Sequence, residues 1–377
     1  MNTNNALKDE NDVNDPAPDT IMPHKTAEII AAPVRTGVPL SVRLINFFEL
    51  AGLLWAVPMV KLCTGEDRQE QLRQLLLHIV VPIIACLAFL AMWGWSASKV
   101  DTSLGTIPGP AAVWQEAQNL VDDHYREREK ERAFYLRMEE RNAKKLAADP
   151  DAEIRIRPYT GKPTYPDQIL TSLKTVFTGF VLATLIAVPL GMICGLSRTM
   201  NTALNPLIQI FKPVSPLAWL PIVTLVVSAT YEATDDAWFE KAFLTSAITV
   251  TLCSLWPTLI NTAVGVASID KDLMNVSKVL QLNWLQTVFR IVLPSSMPLI
   301  FTGLRLSLGV GWMVLIAAEM LAQNPGLGKF VWDEFQNGSS SSLGKIMVAV
   351  LTIGLIGFLL DRVMLTLQRI FSFGKVV

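Results

Sequence analysis

The sequence predicts an all-α, polytopic membrane protein with about six transmembrane helices. Its 377 residues are 51% hydrophobic, with a mean hydropathy of +0.38. The uncharged runs are long enough to cross a hydrocarbon core, which takes about 20 helical residues. Lipid permits only helices or a closed barrel, and continuous rather than alternating apolar runs favour helices. The net charge of −1 indicates neither an acidic nor a basic partner.

The N-terminal 74 residues divide into two predicted segments. Residues 1–40 are rich in Asn, Asp and Pro, which is typical of a disordered tail, and we expect this tail to be cytoplasmic. It lacks the basic and apolar regions of a cleaved signal sequence, so we expect it to stay attached. Glu49 and Pro58 interrupt the apolar run that follows. We therefore interpret residues 41–74 as an interfacial or packed helical segment, with a membrane span at 41–62 as the alternative.

The first predicted transmembrane helix covers residues 75–97, with Trp93 and Trp95 as interfacial anchors at one end. Residues 98–166 are predicted to form a charged helical loop, because charges of both signs alternate and Glu140 and Lys144 have i,i+4 spacing. This pattern favours a solvated helix. A docking surface for a partner outside the membrane is the alternative.

A core domain of five further spans is predicted over residues 167–372. The spans lie at about 170–196, 202–230, 242–266, 291–319 and 345–367. Four prolines fall in the second of these: Pro206, Pro213, Pro216 and Pro221. They predict a kinked or broken helix, which survives at membrane depth only when it is buried in protein or lines a cavity.

Small residues predict close helix packing in the fourth of these spans. Gly303, Ser307 and Gly311 are four apart and share one helix face, so another helix can approach this face closely.

The basic residues in short loops predict an orientation with both termini in the cytoplasm. The inside loops carry Arg198, Lys271, Lys278, Arg290, Arg362, Arg369 and Lys375, and the outside short loops carry Lys241, Lys329 and Lys345. The loop at 98–166 is then extracytoplasmic, and the loop at 268–290 is cytoplasmic.

The residues do not favour an enzyme. Four cysteines and three histidines lack any metal-ligand or disulfide pattern, and acids are scarce within the spans. The chain has no GxxxxGK[ST] phosphate loop. We expect no cofactor on this chain, and ATP with Mg²⁺ would bind to a separate ATPase.

Five polar or aromatic residues in the spans are candidates for a translocation path: Arg305, Lys212, Glu319, Asn261 and Trp256. Arg305 lies about 16 Å along the helix from Pro294 and either attracts or gates a passing anion, or snorkels or pairs with another helix. Lys212 can line the path or snorkel. Glu319 falls at the outer end of its span, where a carboxylate at the membrane interface costs little free energy. A gating or docking role is the alternative. Asn261 needs a partner and is expected to face the bundle.

The stretch "NVSKVLQLNWLQTVFRIVLPSSMP", at 275–298, predicts two short helical pieces. Their apolar faces comprise Val276, Val279 and Leu280 in the first piece, and Leu285, Val288, Phe289 and Val292 in the second. Such a short amphipathic helix, continuous with a span, either connects two spans or fits a groove in a partner.

This stretch resembles the cytoplasmic EAA loop of bacterial ABC importer permease subunits. The residues at the corresponding positions are Asn275, Val276, Ser277, Lys278, Gln281, Leu282 and Pro294, and Gln281 stands at the family's glycine position. The stretches "FKPVSPLAWLPI", "SLWPTLINTAVGV" and "IFTGLRLSLGVGWMVLIAAEMLAQNPGLGKFVWDEFQ" are similar to the nitrate, cyanate and bicarbonate branch, which is related to taurine and sulfonate permeases. The N-V in place of E-A is typical of that branch.

The resemblance implies a type I ABC importer permease fold with a coupling helix over residues 268–290. It also implies a homodimer in the bacterial inner membrane, two cytoplasmic ATPase subunits and an extracytoplasmic solute-binding protein that delivers a small anion. Nitrate is the first expectation, followed by bicarbonate, cyanate, taurine or a sulfonate. The alternatives from other classes are an ion-coupled secondary transporter or channel, and a membrane scaffold.

Overall fold

The computed structural model describes residues 56–64, 68–102, 105–149, 157–231, 239–339 and 341–372, with the single positions 45, 48 and 154. The predicted disordered tail at 1–40 lies outside these residues, as does most of the segment at 41–55. The predictions made for them remain predictions.

The described chain is almost entirely helical. Its helices are α1 (Ala56–Thr64), α2 (Arg68–Leu75), α3 (Val81–Ala97), α4 (Pro110–Ala148), α5 (Tyr165–Leu196), α6 (Arg198–Phe211), α7 (Pro216–Thr230), α8 (Lys241–Ala267), α9 (Lys271–Val279), α10 (Trp284–Thr287), α11 (Leu293–Ala322), α12 (Leu327–Asn337) and α13 (Ser342–Ser372). Two π-helical turns, Leu76–Val80 and Val288–Val292, join α2 to α3 and α10 to α11. Two short antiparallel strands, β1 (Asp101–Thr102) and β2 (Gly105–Thr106), precede α4.

In the described ranges, five continuous helices are long and apolar enough to cross a membrane: Gln69–Ala97, Tyr165–Leu196, Lys241–Ala267, Trp284–Ala322 and Ser342–Phe371. A sixth span forms if α6 and α7, which meet at 100°, are counted together. The six spans predicted between residues 75 and 372 are therefore confirmed, and so is the predicted break; the alternative span at 41–62 lies mostly outside the described residues. The chain bends between Phe211 and Pro216, whereas Pro206 and Pro221 are accommodated inside α6 and α7.

Helix α8 is the centre of the core, and α5 and α11 pack along it on either side. Glycines set the close approach of α5. A Cβ atom added to Gly191 would lie 2.6 Å from the Thr262 Cβ atom and 2.7 Å from the Leu259 carbonyl oxygen. Gly179 meets Val250 and Gly195 meets Val266 at the same sequence offset. Because this offset is constant, α5 and α8 run in the same direction.

Helix α11 packs against α8 in the opposite direction and uses the small residues that the sequence predicted for this contact. A Cβ atom added to Gly303 would lie 2.9 Å from the Asn261 Cβ atom, and one added to Gly311 would lie 3.3 Å from a Val250 methyl carbon. The Ser307 Oγ atom accepts a hydrogen bond of 3.0 Å from the Thr258 amide, and the two side-chain hydroxyls are 2.7 Å apart. Packing and a polar contact together fix the register of the two spans.

The predicted charged loop forms the single long helix α4 followed by a return segment. Val113 and Leu120, near the start of α4, pack against Phe330 of α12 and Val348 of α13. Farther along α4, Glu127 accepts a 2.7 Å hydrogen bond from the hydroxyl of Tyr159 in the return segment. This bond lowers the pKa of the Glu127 carboxyl. We call α4 the α4 arm. Apolar contacts with α12 and α13 hold its start in place, and a polar contact with the return segment holds it farther along.

The contact between α5 and α8 gives a matched pair of predictions. Gly191→Ala should destabilise the protein by about 1–3 kcal/mol because the added methyl group overpacks the contact. The Cβ atom added by Gly354→Ala on α13 meets no other atom within 4 Å. This substitution should be neutral or stabilising by up to about 1 kcal/mol, since alanine favours helix. Unfolding of the detergent-solubilised protein measures both effects. Equal effects of the two substitutions would contradict this packing.

Candidate functional site

The first candidate site is the helical element between α8 and α11. Helix α9 begins where the Asp270 carboxylate accepts a hydrogen bond of 3.0 Å from the Asp272 amide. It ends in a Schellman motif: the Gln281 amide donates to the Lys278 carbonyl, and the Leu282 amide donates to the Ser277 carbonyl. Gln281 closes the motif with a φ of 48°. This is the left-handed conformation that glycine adopts most easily.

The second helical piece is continuous with a span. The Asn283 amide donates to the Gln286 side chain over 3.1 Å, and this pair caps α10. Without a break, the helix then runs from Trp284 to Ala322 through a π-helical turn. The two predicted pieces are confirmed, and the turn around Gln281 separates them.

Apolar side chains of both pieces are exposed. They are Leu273, Val276, Val279, Leu280, Trp284, Leu285 and Phe289, and Val279 is 81% exposed. We call them the coupling surface, after the coupling helix that the family resemblance led us to expect here. The predicted second face was partly wrong: Val288 and Val292 are buried. Val288 and Val292, four residues apart, lie on the side of the helix that faces the bundle, whereas Leu285 and Phe289, also four apart, lie on the outer side.

The other residues at family-motif positions differ in accessibility. Asn275 and Lys278 are exposed on α9, and Leu282 is half-buried. Ser277 is buried and donates a hydrogen bond of 2.7 Å to the Met274 carbonyl oxygen. Pro294 lies in the first turn of α11 and is half-buried. A partner that docks on this element therefore reaches Asn275 and Lys278 more readily than Ser277.

The second group of candidates lies at membrane depth, and Arg305 has a partner there. Its Nε and Nη2 atoms donate hydrogen bonds of 2.6 and 2.9 Å to the two carboxylate oxygens of Asp361 on α13. A cavity of about 220 Å³ lies beside the Arg305–Asp361 pair, and Gly309 and Trp312 also line it. Of the two predicted alternatives for Arg305, the structure shows pairing with another helix.

Glu319 lies in the last turn of its span, as predicted, but it is surrounded by protein rather than exposed at the interface. Its side chain is 0% exposed, and its Oε2 atom accepts hydrogen bonds of 2.8 Å from the Ser172 hydroxyl and 2.9 Å from the Gly328 amide. Its Oε1 atom has no partner among the described residues. Helix α12 folds back over the outer end of α11, and the missing Cβ atom of Gly326 leaves room for the carboxylate. Glu319 therefore ties α12 to two spans and cannot present a docking surface.

Asn261 and Trp256 are engaged inside the bundle. The Asn261 Nδ2 atom donates a hydrogen bond of 2.8 Å to the Pro257 carbonyl oxygen of its own helix, and its Cβ atom faces Gly303. The prediction that Asn261 faces the bundle is confirmed. The Trp256 ring stacks on Phe211, with 6.3 Å between the ring centroids. Trp256 thus supports the end of α6, just before the break.

Lys212 is located in the break between α6 and α7. Together with Val214, Cys253, Val310 and Met313, it lines a cavity of about 290 Å³ between the break, α7, α8 and α11. Within the described part of the chain, no carboxylate lies within ion-pair distance of its ammonium group. Lys212 and Trp256 therefore lie near the same break, whereas Arg305 and Glu319 lie elsewhere.

Sequence reasoning missed two charged residues of the spans and one polar residue just after α11. Asp361 neutralises Arg305. Asn324 is buried and donates a hydrogen bond of 3.1 Å to Thr175. Lys174 lines an outer cavity of about 440 Å³ on α5. A charge inside an apolar run was the available signal for Asp361 and Lys174, but nothing local marked Asn324.

The fold and these sites define a class of protein. Apolar helices of spanning length surround a broken helix with an adjacent charge, and a helix continuous with a span exposes an apolar surface outside the bundle. No group of three or more His, Cys, Asp or Glu side chains in the described ranges could hold a metal ion. This arrangement is that of a polytopic membrane transport protein.

The comparisons with known proteins give the family. Residues 187–373 match the model described as "Binding-protein-dependent transport system inner membrane component". The chain is 36% identical over 205 residues to the nitrate import permease protein NrtB of Synechococcus elongatus, covering 54% of this chain and 69% of the relative. It is 38% identical over 203 residues to the Synechocystis protein of the same name, covering 54% and 68%. It is 33% identical over 298 residues to the bicarbonate transport system permease protein CmpB of Synechococcus elongatus, covering 79% and 91%.

The chain belongs to the family of inner membrane components of binding-protein-dependent transport systems. It is a multi-pass membrane permease subunit, and this agrees with the family resemblance that its motifs indicated.

The left-handed turn predicts the effect of restoring glycine. Gln281→Gly should stabilise the protein by about 1 kcal/mol, because a left-handed conformation costs a non-glycine residue about 1–2 kcal/mol, and glycine loses part of this gain through its greater freedom in the unfolded state. Gln281→Val should destabilise it, since a β-branched side chain is strained at a φ of 48°. Denaturant titration measures both effects, and a more stable Val variant would show that the turn is not left-handed.

The pair of Arg305 and Asp361 predicts a coupling energy. Asp361→Asn leaves the guanidinium without its counter-charge at membrane depth and should destabilise the protein more than the double variant Arg305→Gln with Asp361→Asn. A double-mutant cycle should give about 0.5–3 kcal/mol. Thermal unfolding of the four proteins in one lipid composition provides the measurement, and additive effects would show that the pair contributes nothing.

Proposed function

We propose that this chain is the translocation subunit of an ATP-driven importer for a small inorganic anion, and that the coupling surface docks on a cytoplasmic ATPase. The single observation that supports this most strongly is the exposure of the coupling surface at the end of the continuous helix Trp284–Ala322. The subunit itself hydrolyses no ATP and binds neither ATP nor Mg²⁺, both of which belong to the partner chain.

The geometry of the coupling surface supports a groove-binding role. Val276 and Val279 of α9, the following Leu280, and Leu285 and Phe289 of the second piece expose between 47% and 81% of their surface. Contiguous apolar surface of this kind is typical of an interaction site, and a short amphipathic helix fits a hydrophobic groove. Asn275 and Lys278 supply polar groups at its edge.

The orientation and assembly are part of the proposal. Both termini and the coupling surface lie in the cytoplasm, because basic residues concentrate in the loops on that side. α12 and the α4 arm then lie outside, where an extracytoplasmic binding protein delivers the anion. Lys212 is exposed on the single chain, so a second copy of the chain would complete the enclosure of the path.

Nitrate is the proposed substrate, because the relatives named nitrate import permease reach 38% identity. Bicarbonate is the second candidate, since the relative named bicarbonate transport system permease matches over 91% of its length. Uptake of labelled nitrate, with bicarbonate as competitor, distinguishes the two. Nitrate uptake that bicarbonate does not inhibit supports the first, and bicarbonate uptake without nitrate uptake supports the second.

An ion-coupled transporter has less support. It needs ionisable groups that can exchange protons or ions at membrane depth. Asp361 and Glu319, the acids at depth in the described spans, are engaged with Arg305 and with Ser172 and Gly328. Asp361 cannot take up a proton without weakening its pair with Arg305, and the Glu319 carboxyl is 0% exposed and therefore closed off from solvent protons.

The coupling surface predicts that substrate-stimulated ATP hydrolysis and transport are lost together when its apolar contact is disrupted. In proteoliposomes with the partner ATPase and binding protein, Val279→Glu should reduce substrate-stimulated ATP hydrolysis and uptake at least tenfold, because a charge in an apolar interface is desolvated without a partner. Charge reversal at Lys278 should weaken the same stimulation.

Val279→Leu is the matched control, since it keeps the surface apolar and should retain most of the stimulation. Wild-type stimulation in both Val279→Glu and Lys278→Glu would refute docking at this surface. Uptake that continues after ATP depletion and stops with a protonophore would favour the ion-coupled alternative.

A further inference from the structure

The cavity beside Lys212 lies level with the central part of two spans. Cys253 is close to the centre of α8 (Lys241–Ala267), and Val310 is close to the centre of α11 (Leu293–Ala322), and both line it. The break between α6 and α7 brings Lys212 to the same level. Broken helices at the midplane are tolerated where they line a cavity rather than face lipid, and transporters often place solute sites there.

Lys212 is the only charged residue among those that line this cavity. The other lining residues are apolar or a thiol: Val214, Pro216, Cys253, Val310, Met313, Val314 and Ala317. Among the described residues, the Lys212 ammonium has neither a hydrogen-bond acceptor nor an acid partner, so the carbonyl groups at the end of α6 do not satisfy it. The Ser215 hydroxyl already caps the first turn of α7 at the Leu217 amide. The attraction for an anion therefore comes from the lysine, not from a helix end.

A lysine at this depth needs water or a counter-ion, since lipid does not solvate a charge. The cavity of about 290 Å³ is several times larger than the ~30 Å³ of one water molecule, so it can hold a small hydrated anion. Arg305 is the contrasting case, because Asp361 neutralises it in a bidentate contact. Lys212, in the broken span, and Arg305, on α11, therefore have different roles.

We propose that the Lys212 cavity at the helix break is the site where the translocated inorganic anion binds midway through the membrane, and that Lys212 is its charge-selective residue. The proposal rests on the proposed importer function. It assigns the substrate class, small inorganic anions rather than cations or zwitterions, to one side chain. The walls of Val310 and Met313 belong to α11, so the site changes shape when that helix moves.

Cys253 provides a test that does not require transport. A chain in which the other three cysteines (Cys63, Cys86 and Cys194) are replaced by serine would be reconstituted in proteoliposomes and treated with methanethiosulfonate reagents of similar size, one anionic and one cationic. The anionic reagent should modify Cys253 about tenfold or more faster, because Lys212 concentrates negative charge in the cavity. Since the thiolate reacts with both reagents, its ionisation cancels in the ratio.

Three variants complete this test. Lys212→Gln should reduce the ratio to near one, and Lys212→Arg should preserve it. Lys174→Gln, which removes a lysine of α5 outside this cavity, should leave it unchanged. Added nitrate should slow modification in the wild type but not in Lys212→Gln. An unchanged ratio in Lys212→Gln, or no reaction of Cys253 with either reagent, would overturn the proposal.

Transport then separates this proposal from the proposed function. With the partner ATPase and binding protein, Lys212→Gln should lower the uptake rate at limiting anion at least tenfold, while Lys212→Arg retains uptake. Normal ATP-dependent uptake by Lys212→Gln would refute the role of Lys212 and leave the importer function standing. Loss of ATP dependence in the wild type would refute the importer function, whereas the charge preference at Cys253 would still report on the cavity.

Discussion

The contact of α8 with α5 and α11 is the constraint on which the rest of the structure depends. Gly179 and Gly191 let α5 approach α8 at a distance that any side chain would prevent, and Gly303 does the same for α11. In lipid, such close packing supplies the association energy that the hydrophobic effect supplies in water. These three helices therefore form a rigid group, and α6, α7, α12 and α13 take their positions from it.

The continuous helix Trp284–Ala322 connects the two ends of this group. Its 39 residues span about 58 Å, from the coupling surface through the wall of the Lys212 cavity to the Glu319 contacts. A displacement of the coupling surface therefore reaches all three levels through one element. The π-helical turn Val288–Val292 lies just before the bundle, and such turns often mark functional sites in helices.

The sequence was sufficient for those features that depend on local chemistry. Run length and composition predicted six spans, and Pro213 and Pro216 predicted the break. The two-piece shape of the loop followed from the apolar spacing around Gln281. The structure adds the physical reason for the family's glycine position: residue 281 closes a Schellman motif with a left-handed backbone. Glutamine at this position costs conformational energy that glycine would avoid.

The roles of charged residues were not predictable, because the partner of each lies far away in the sequence. Arg305 and Lys212 have the same sequence signature, a single cation inside an apolar run. Asp361, 56 positions away, makes Arg305 a structural contact, whereas the described residues provide no counter-charge for Lys212. Glu319 was assigned to the interface by its position near a span end, yet Ser172 and Gly328 draw it into the protein. The role of a charged residue in a membrane protein therefore depends on the groups that solvate its charge. Protein groups solvate Arg305 and Glu319, whereas the described residues provide none for Lys212, so water or a passing ion takes that role.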